Sequence, residues 1–106
     1  MDNVISNWFN SLEEAFDGEK VNADSIFHFT ITGAEGGEYT VTIKDKQLKV
    51  LKGLHQEPRC EITATDQNFK NVLLGISNPR IALANGKLQI SKVSEVLMFA
   101  KPLGLL

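Results

Sequence analysis

Three short runs of alternating apolar and polar residues follow one another between residues 27 and 50, with only a few residues between them. A period of two residues is that of a β-strand with one buried face, and connections this short join antiparallel neighbours. The apolar positions are Phe27, Phe29 and Ile31 in the first run, Tyr39, Val41 and Ile43 in the second, and Leu48 and Val50 in the third. The pattern predicts a three-stranded antiparallel meander with one buried face and one wet face.

Helical spacing appears on both sides of this meander. Residues 3–16 repeat apolar side chains at intervals of three and four, which predicts an amphipathic helix. After the meander, residues 60–64 alternate as a fourth strand, residues 66–76 carry a helical pattern, and residues 87–91 form a short fifth strand. Two more helices are expected over residues 79–85 and 93–100. The expected order is helix, three strands, strand, helices, strand, helix, which fits an α+β fold.

The last of these helices has an unusual pattern. Residues 96–100 are five consecutive apolar positions, so apolar side chains surround the helix and do not form a single stripe. Such a helix requires apolar contact on more than one side.

The chain of 106 residues has the length of one domain, and no repeat or linker divides it, so we expect a single domain over residues 1–106. The net charge is −2, and Lys and Glu are interspersed along the sequence. No basic block of the kind that follows a phosphate backbone is present, which argues against a nucleic-acid partner.

Cys60 is the only cysteine, so no intrachain disulfide can form, and a reducing cytoplasm is the expected location. The N-terminus lacks the pattern of a secretory signal, and no window approaches 18 uninterrupted apolar residues. The C-terminal Gly-Leu-Leu differs from a peroxisomal Ser-Lys-Leu address. We expect a cytoplasmic protein that is neither secreted nor membrane-spanning.

A search for catalytic or metal-binding residues gives little. His28 and His55 are the only histidines, and a lone His on a strand is usually solvent-facing or hydrogen-bonded. Cys60 on the apolar side of a strand is more typical of a small buried hydrophobe than of a nucleophile. The Gly-rich segment 33–37 leads into a strand, so it reads as a hairpin turn and not as a phosphate loop. We therefore expect no catalytic residue, no metal site and no cofactor.

Several blocks between Phe27 and Leu103 resemble the sterol carrier protein type 2 family. The first joins residues 27–31 to residues 36–43, where Tyr39 stands in place of a usual Trp. The strongest block runs from Cys60 to Phe69. It is followed, in the family's order, by Leu74-Gly75, Asn78-Pro79 and Gly86-Lys87-Leu88-Gln89-Ile90.

The resemblance implies a fold and a function. The fold is a five-stranded mixed sheet, with a three-strand meander and a crossover to two further strands, and helices cover one face. The function is non-enzymatic binding and transfer of a sterol, fatty acid, fatty acyl-CoA or phospholipid tail in an apolar tunnel between sheet and helices. Lys92 stands where the family usually has Gly, and the usual aromatic pair is missing near Leu83-Ala84, so the mouth and width of the cavity should differ here.

The hypothesis assigns the cavity wall to apolar side chains of the first, second, fourth and fifth strands and of the last three helices, and its lid to residues 93–106. The predicted wall consists of Phe29, Tyr39, Val41, Ile62, Phe69, Val72, Leu73, Ile76, Ile81, Leu83, Leu88, Ile90, Leu97 and Ala100. Leu103, Leu105 and Leu106 are expected to touch a membrane transiently during transfer. An empty cavity of about 400 Å³ would cost roughly 10 kcal/mol, so we expect the protein either to be partly collapsed and mobile around the last helix or to purify with lipid inside.

Two other functions remain open from the sequence. One is an accessory or dimerisation module of the same fold, with a filled cavity and an exposed last helix that binds a protein. The other is a small-molecule enzyme, for which the region of the cavity offers only Tyr39 and Cys60 as titratable groups. The identity of the lipid and the oligomeric state do not follow from the sequence.

Overall fold

Four α-helices pack against one face of a mixed β-sheet in the structure. The structure is a computed structural model that describes residues 3–99 and residue 102. Helix α1 spans Val4–Ala15 and is followed by a 3-10 turn at Gly18–Lys20. The next elements are β1 Ser25–Thr32, β2 Gly37–Lys44, β3 Gln47–Lys52, β4 Cys60–Thr65, α2 Asp66–Leu73, α3 Pro79–Ala84, β5 Leu88–Ile90 and α4 Val93–Phe99. The order is that predicted from the sequence.

Helix α1 begins at Asn3, whose side chain accepts a hydrogen bond of 3.0 Å from the backbone N–H of Ser6. This bond satisfies one of the N–H groups that a helix start leaves without a partner. The buried side chains are Ile5, Phe9 and Leu12, at the helical spacing seen in the sequence. They face the sheet and form one end of the core.

The strand order of the sheet is β3-β2-β1-β4-β5. Strands β1, β2 and β3 pair antiparallel as a meander, β4 pairs parallel to β1, and β5 pairs antiparallel to β4. The β2–β3 hairpin turns at Asp45 and Lys46, which have φ values of 52° and 65°. Two consecutive residues with positive φ are the mark of the tight turn that matches the twist of the flanking strands. The predicted five-stranded mixed sheet is confirmed.

The helical face of the sheet carries an aromatic core. Phe9 of α1 stacks on Tyr39 of β2, with ring centroids 3.9 Å apart, and meets Phe29 of β1 edge to face at 5.1 Å. Trp8 lies edge to face against Phe29 at 6.0 Å and Phe69 at 5.7 Å. These contacts fix α1 and α2 to the centre of the sheet, because aromatic pairs add directional attraction to area burial.

The opposite face of the sheet is partly covered by the β3–β4 connection, residues 53–59. Thr40 is fully buried there; its hydroxyl donates to the carbonyl of Gly53 at 2.7 Å and accepts from the N–H of His55 at 2.9 Å. His28 Nε2 donates to the carbonyl of His55 at 2.8 Å. His28 is therefore a buried, hydrogen-bonded residue, one of the two outcomes expected for a lone strand His.

Candidate functional site

An apolar cavity of about 90 Å³ lies between the helical face of the sheet and helices α2, α3 and α4. It opens to solvent between the helices, where Val93 and Leu97 are partly exposed. The cavity is lined by Phe29, Ile62, Phe69, Val72, Pro79, Arg80, Leu83, Leu88, Ile90, Val93, Val96 and Leu97. This pocket is the candidate functional site.

The sheet supplies one wall of the cavity through residues in neighbouring strands. Phe29 of β1 pairs with Ile62 of β4, and Ile62 pairs with Ile90 of β5. Residues paired across strands lie on the same face, so the three side chains form a continuous apolar row. Leu88 lies two residues before Ile90 and extends the row along β5.

Helices α2 and α3 supply the second wall, and each begins at a side-chain cap. Thr65 caps α2 by accepting from a backbone N–H of the first turn at 3.1 Å, which orients Phe69 and Val72 toward the cavity. Asn78 caps α3 by accepting from the N–H of Arg80 at 2.8 Å. Pro79 occupies the first turn of α3, where the absence of its N–H costs nothing.

Helix α4 supplies the third wall and is attached to the sheet at two points. The buried carboxylate of Glu95 accepts a hydrogen bond of 2.7 Å from the hydroxyl of Ser25, which is also buried. One turn later, Phe99 is fully buried and lies edge to face against Phe27 at 5.6 Å. With these two residues directed to the sheet, Leu97 of the same helix lines the mouth of the cavity.

The structure places most of the predicted wall residues around this cavity. Those that line it are Phe29, Ile62, Phe69, Val72, Leu83, Leu88, Ile90 and Leu97. Val93 and Val96, which line it too, belong to the segment predicted as a lid. Sequence reasoning did not single out Pro79 and Arg80, because nothing in their positions distinguishes the cavity side of so short a helix. That these residues bind lipid stays a prediction.

Three predicted wall residues lie in or against the core and not at the cavity. Tyr39 and Val41 are buried on β2, the strand that α1 covers, and the ring of Phe9 stacks on Tyr39. Leu73 is half-buried and packs against the core from the end of α2. Alternation marks a residue as inward-facing but does not tell a packed interior from a cavity wall.

Ile76 and Ile81 are exposed, at 70% and 60%, and do not line the cavity. The expected helical pattern ran through residue 76, but α2 ends at Leu73 and the chain reverses at Gly75, whose φ is +76°. Ile76 consequently lies beyond the helix. On α3 the buried position is Ala82, so the preceding residue, Ile81, faces outward.

The remaining predicted positions lie outside the described residues. They are the wall residue Ala100, part of the lid, and the three leucines expected to touch a membrane, Leu103, Leu105 and Leu106.

The chemistry available at the cavity is narrow, because Arg80 is the only ionisable residue among those of residues 3–99 and 102 that line it. Cys60 is buried outside the lining, and this burial raises the pKa of its thiol above the ordinary value of 9.0. A thiol held in its neutral form is a poor nucleophile. Within residues 3–99 and 102, no three His, Cys, Asp or Glu side chains converge as metal ligands. In the same part of the chain, every helix is too short or too polar to cross a membrane.

Several solved structures have the same fold. The sterol carrier protein domain 2 of Helicoverpa armigera superposes with a TM-score of 0.69 at 23% identity, covering 95% of this chain and 89% of the other. Palmitated SCP2L2 from Aedes aegypti gives 0.66 at 21% identity, covering 91% and 88%. A double mutant of the sec-alkyl sulfatase PisA1 gives 0.78 at 14% identity, but this chain covers only 16% of the sulfatase.

No curated protein matches the chain in sequence. The model of the SCP-2 sterol transfer family, in contrast, matches residues 9–103, from the middle of α1 to beyond α4. Because that match includes the whole sheet, the cavity and all three helices around it, the chain belongs to the SCP-2 sterol transfer family.

Proposed function

We propose that this chain is a non-enzymatic carrier that binds the apolar tail of a lipid in the cavity between the sheet and helices α2, α3 and α4. The observation that carries the proposal is the lining, in which every side chain from the described part of the chain except that of Arg80 is apolar. Such a surface offers no group for acid, base or nucleophilic chemistry, but it suits an acyl chain, which gains about 0.8 kcal/mol for each buried methylene. Palmitate in the Aedes aegypti relative supports the same class of ligand.

The volume of the cavity has a consequence for binding. Sites for small ligands usually measure about 300–1,000 Å³, whereas this cavity holds about 90 Å³. At roughly 24 cal/mol per Å³, an empty space of that size costs only about 2 kcal/mol, which a small domain tolerates. Entry of a lipid tail therefore requires a wall to move outward, and α4, fixed mainly by Glu95 and Phe99, is the wall that we expect to move.

Transient contact with a membrane is part of the proposal. Most of the large hydrophobic side chains that are exposed lie on or directly after the helices that border the cavity. They are Leu74, Ile76, Ile81, Val93, Leu97 and Met98. Exposed apolar side chains grouped near a ligand entrance favour contact with a lipid surface. A cytoplasmic location and a single domain over the whole chain stay predictions from the sequence.

The first test is native mass spectrometry of freshly purified protein, followed by solvent extraction and by titration with a fluorescent fatty acid. The matched variants are Val72→Trp, which fills the cavity, and Leu54→Trp, which adds the same ring at an exposed site outside it. We expect uptake by the wild type and by Leu54→Trp, and at least tenfold weaker uptake by Val72→Trp. A protein that never carries or takes up lipid would refute the carrier function.

A second candidate function is an accessory or dimerisation module. The occurrence of this fold within a sulfatase about six times longer than this chain favours it, because there the domain is one part of an enzyme. Leu97→Asp separates the two functions, since Leu97 lies at the mouth of the cavity and is 55% exposed. The carrier function predicts loss of lipid uptake with unchanged mass by light scattering. The accessory function predicts loss of a dimer or of a protein complex.

A further inference from the structure

Among the described residues that line the cavity, Arg80 is the one that carries a charge. We propose that its guanidinium holds the carboxylate of a single-chain fatty acid at the mouth, so that Arg80 decides between charged and neutral headgroups. This inference rests on the proposed carrier function and adds to it the residue that sets headgroup specificity.

The position of Arg80 suits a headgroup better than a tail. The residue lies in the first turn of α3, where its backbone N–H is held by the side chain of Asn78, and its side chain is exposed to solvent. The neighbouring residue in the lining is Pro79, and Leu83 follows one turn later. Only apolar atoms of Arg80 line the cavity, so its aliphatic stem belongs to the wall, while the residue as a whole is exposed to solvent. We expect a ligand whose tail lies against this stem to end beside the guanidinium in water.

The charge of Arg80 is also available within the described part of the chain. Across residues 3–99 and 102, four other cationic side chains form ion pairs within 4.0 Å, and no carboxylate lies within that distance of Arg80. Arg59 and Lys92 are both directed to Glu95, and Lys70 pairs with Glu35. Among the cavity-lining residues, only Arg80 is therefore placed to neutralise a ligand.

The chemistry of the side chain selects the headgroup. A guanidinium presents parallel N–H donors that fit both oxygens of a carboxylate, and such bidentate pairs are stronger than bonds between neutral groups. One cation matches the single charge of a fatty acid. The several phosphate charges of an acyl-CoA would require more cations than the lining supplies, and the hydroxyl of a sterol or a fatty alcohol would leave the charge without a counter-ion.

The experiment compares three ligands with the same twelve-carbon tail: dodecanoate, 1-dodecanol and dodecanoyl-CoA. Dissociation constants are measured by calorimetry for the wild type, Arg80→Gln, Arg80→Lys and the control Lys87→Gln, which removes an exposed cation outside the lining. We expect the wild type to bind dodecanoate about threefold more tightly than 1-dodecanol, the ratio that about 0.7 kcal/mol gives for a solvent-exposed ion pair. Arg80→Gln should abolish that preference, Arg80→Lys should retain part of it, and Lys87→Gln should retain all of it.

The outcomes separate this inference from the carrier function. Equal affinity for dodecanoate and 1-dodecanol, unchanged in Arg80→Gln, would overturn the role of Arg80 while leaving the carrier intact. Tighter binding of dodecanoyl-CoA than of dodecanoate would overturn the choice of a fatty acid. Failure of all three ligands to bind a folded wild-type protein would remove the carrier function itself.

Discussion

Thr40 and its neighbour Thr42 lie on the same face of β2, but only Thr40 holds the β3–β4 connection to the sheet. Its hydroxyl both donates to Gly53 and accepts from His55 while fully buried. Thr42 is half-buried in the same strand and provides a matched control. The comparison measures how much the hydroxyl of Thr40, through its bonds to the connection, contributes to the free energy of unfolding.

We expect Thr40→Val to lower the free energy of unfolding by about 1–3 kcal/mol, because two partly buried hydrogen bonds to the connection are lost. Thr42→Val should change it by less than about 0.5 kcal/mol. Urea titration followed by circular dichroism measures both. Equal effects of the two substitutions would contradict the role assigned to the Thr40 hydroxyl.

Cys60 makes the free energy of unfolding depend on pH in the alkaline range. Burial raises the pKa of its thiol in the folded chain, so between the unfolded and folded pKa values the folded state binds more protons than the unfolded state. By linkage, stability then falls as pH rises above the ordinary thiol pKa of 9.0. We expect the difference in unfolding free energy between wild type and Cys60→Val to shift against the wild type from pH 7.5 to about pH 10. A difference that stays constant over this range would contradict the shift.

Among the elements, α4 combines a firm attachment with a largely exposed apolar surface. Glu95 and Phe99 fix one side of the helix to β1, whereas Leu97 and Met98 are each 55% exposed. The sequence predicted apolar contact on more than one side of this helix. Within residues 3–99 and 102, that contact is confined to the side of the helix that faces the sheet and the cavity, which is consistent with a wall that moves when lipid enters.

The attachment of α4 can be measured through Glu95. Glu95→Ala leaves the buried hydroxyl of Ser25 without its acceptor, so we expect a loss of about 1–3 kcal/mol in unfolding free energy. Arg59 and Lys92 also approach Glu95, but their side chains are 59% and 50% exposed. Ion pairs as exposed as these add little to the free energy of unfolding. Glu14→Ala on the exposed side of α1 is the control, and the double variant with Ser25→Ala isolates the hydrogen bond. Additive losses in that cycle would show that the bond contributes nothing.

The sequence predicted the elements more fully than their ends and exposures. Alternation located every strand, and apolar spacing together with caps such as Asn3 and Thr65 located the helices. The end of α2 was missed because glycine at position 75 stops the helix only through the positive φ that the folded chain adopts there. Ile81 was missed because a helix of six residues is too short for its spacing to define an inner face.

At the scale of the whole molecule, the strand residues of the candidate site were predictable only where the apolar face of a strand is also a wall of the cavity. Phe29 and Ile62 satisfy both conditions and line the cavity. Tyr39 and Val41 satisfy only the second, because α1 covers their part of the sheet. Which part of a sheet a helix covers depends on contacts between distant segments, and the local pattern of one strand does not contain that information.

Lipid binding should stabilise the whole domain. A ligand that binds only the folded state at about 100 times its dissociation constant adds about 2.7 kcal/mol to the unfolding free energy. For a domain of this size, this corresponds to a rise in Tm of roughly 10 °C. Calorimetric scans with dodecanoate should show this rise in the wild type and not in Val72→Trp. An unchanged Tm of the wild type at saturating ligand would contradict binding to the folded state.

Trp8 is the only tryptophan of the chain, and it touches the rings of Phe29 and Phe69, both of which line the cavity. Any displacement of those rings by an entering tail changes the surroundings of a single indole. The intrinsic fluorescence of the protein is therefore an optical signal of its own occupancy, readable without a label, and we expect its emission to shift on loading and to return when the lipid is extracted.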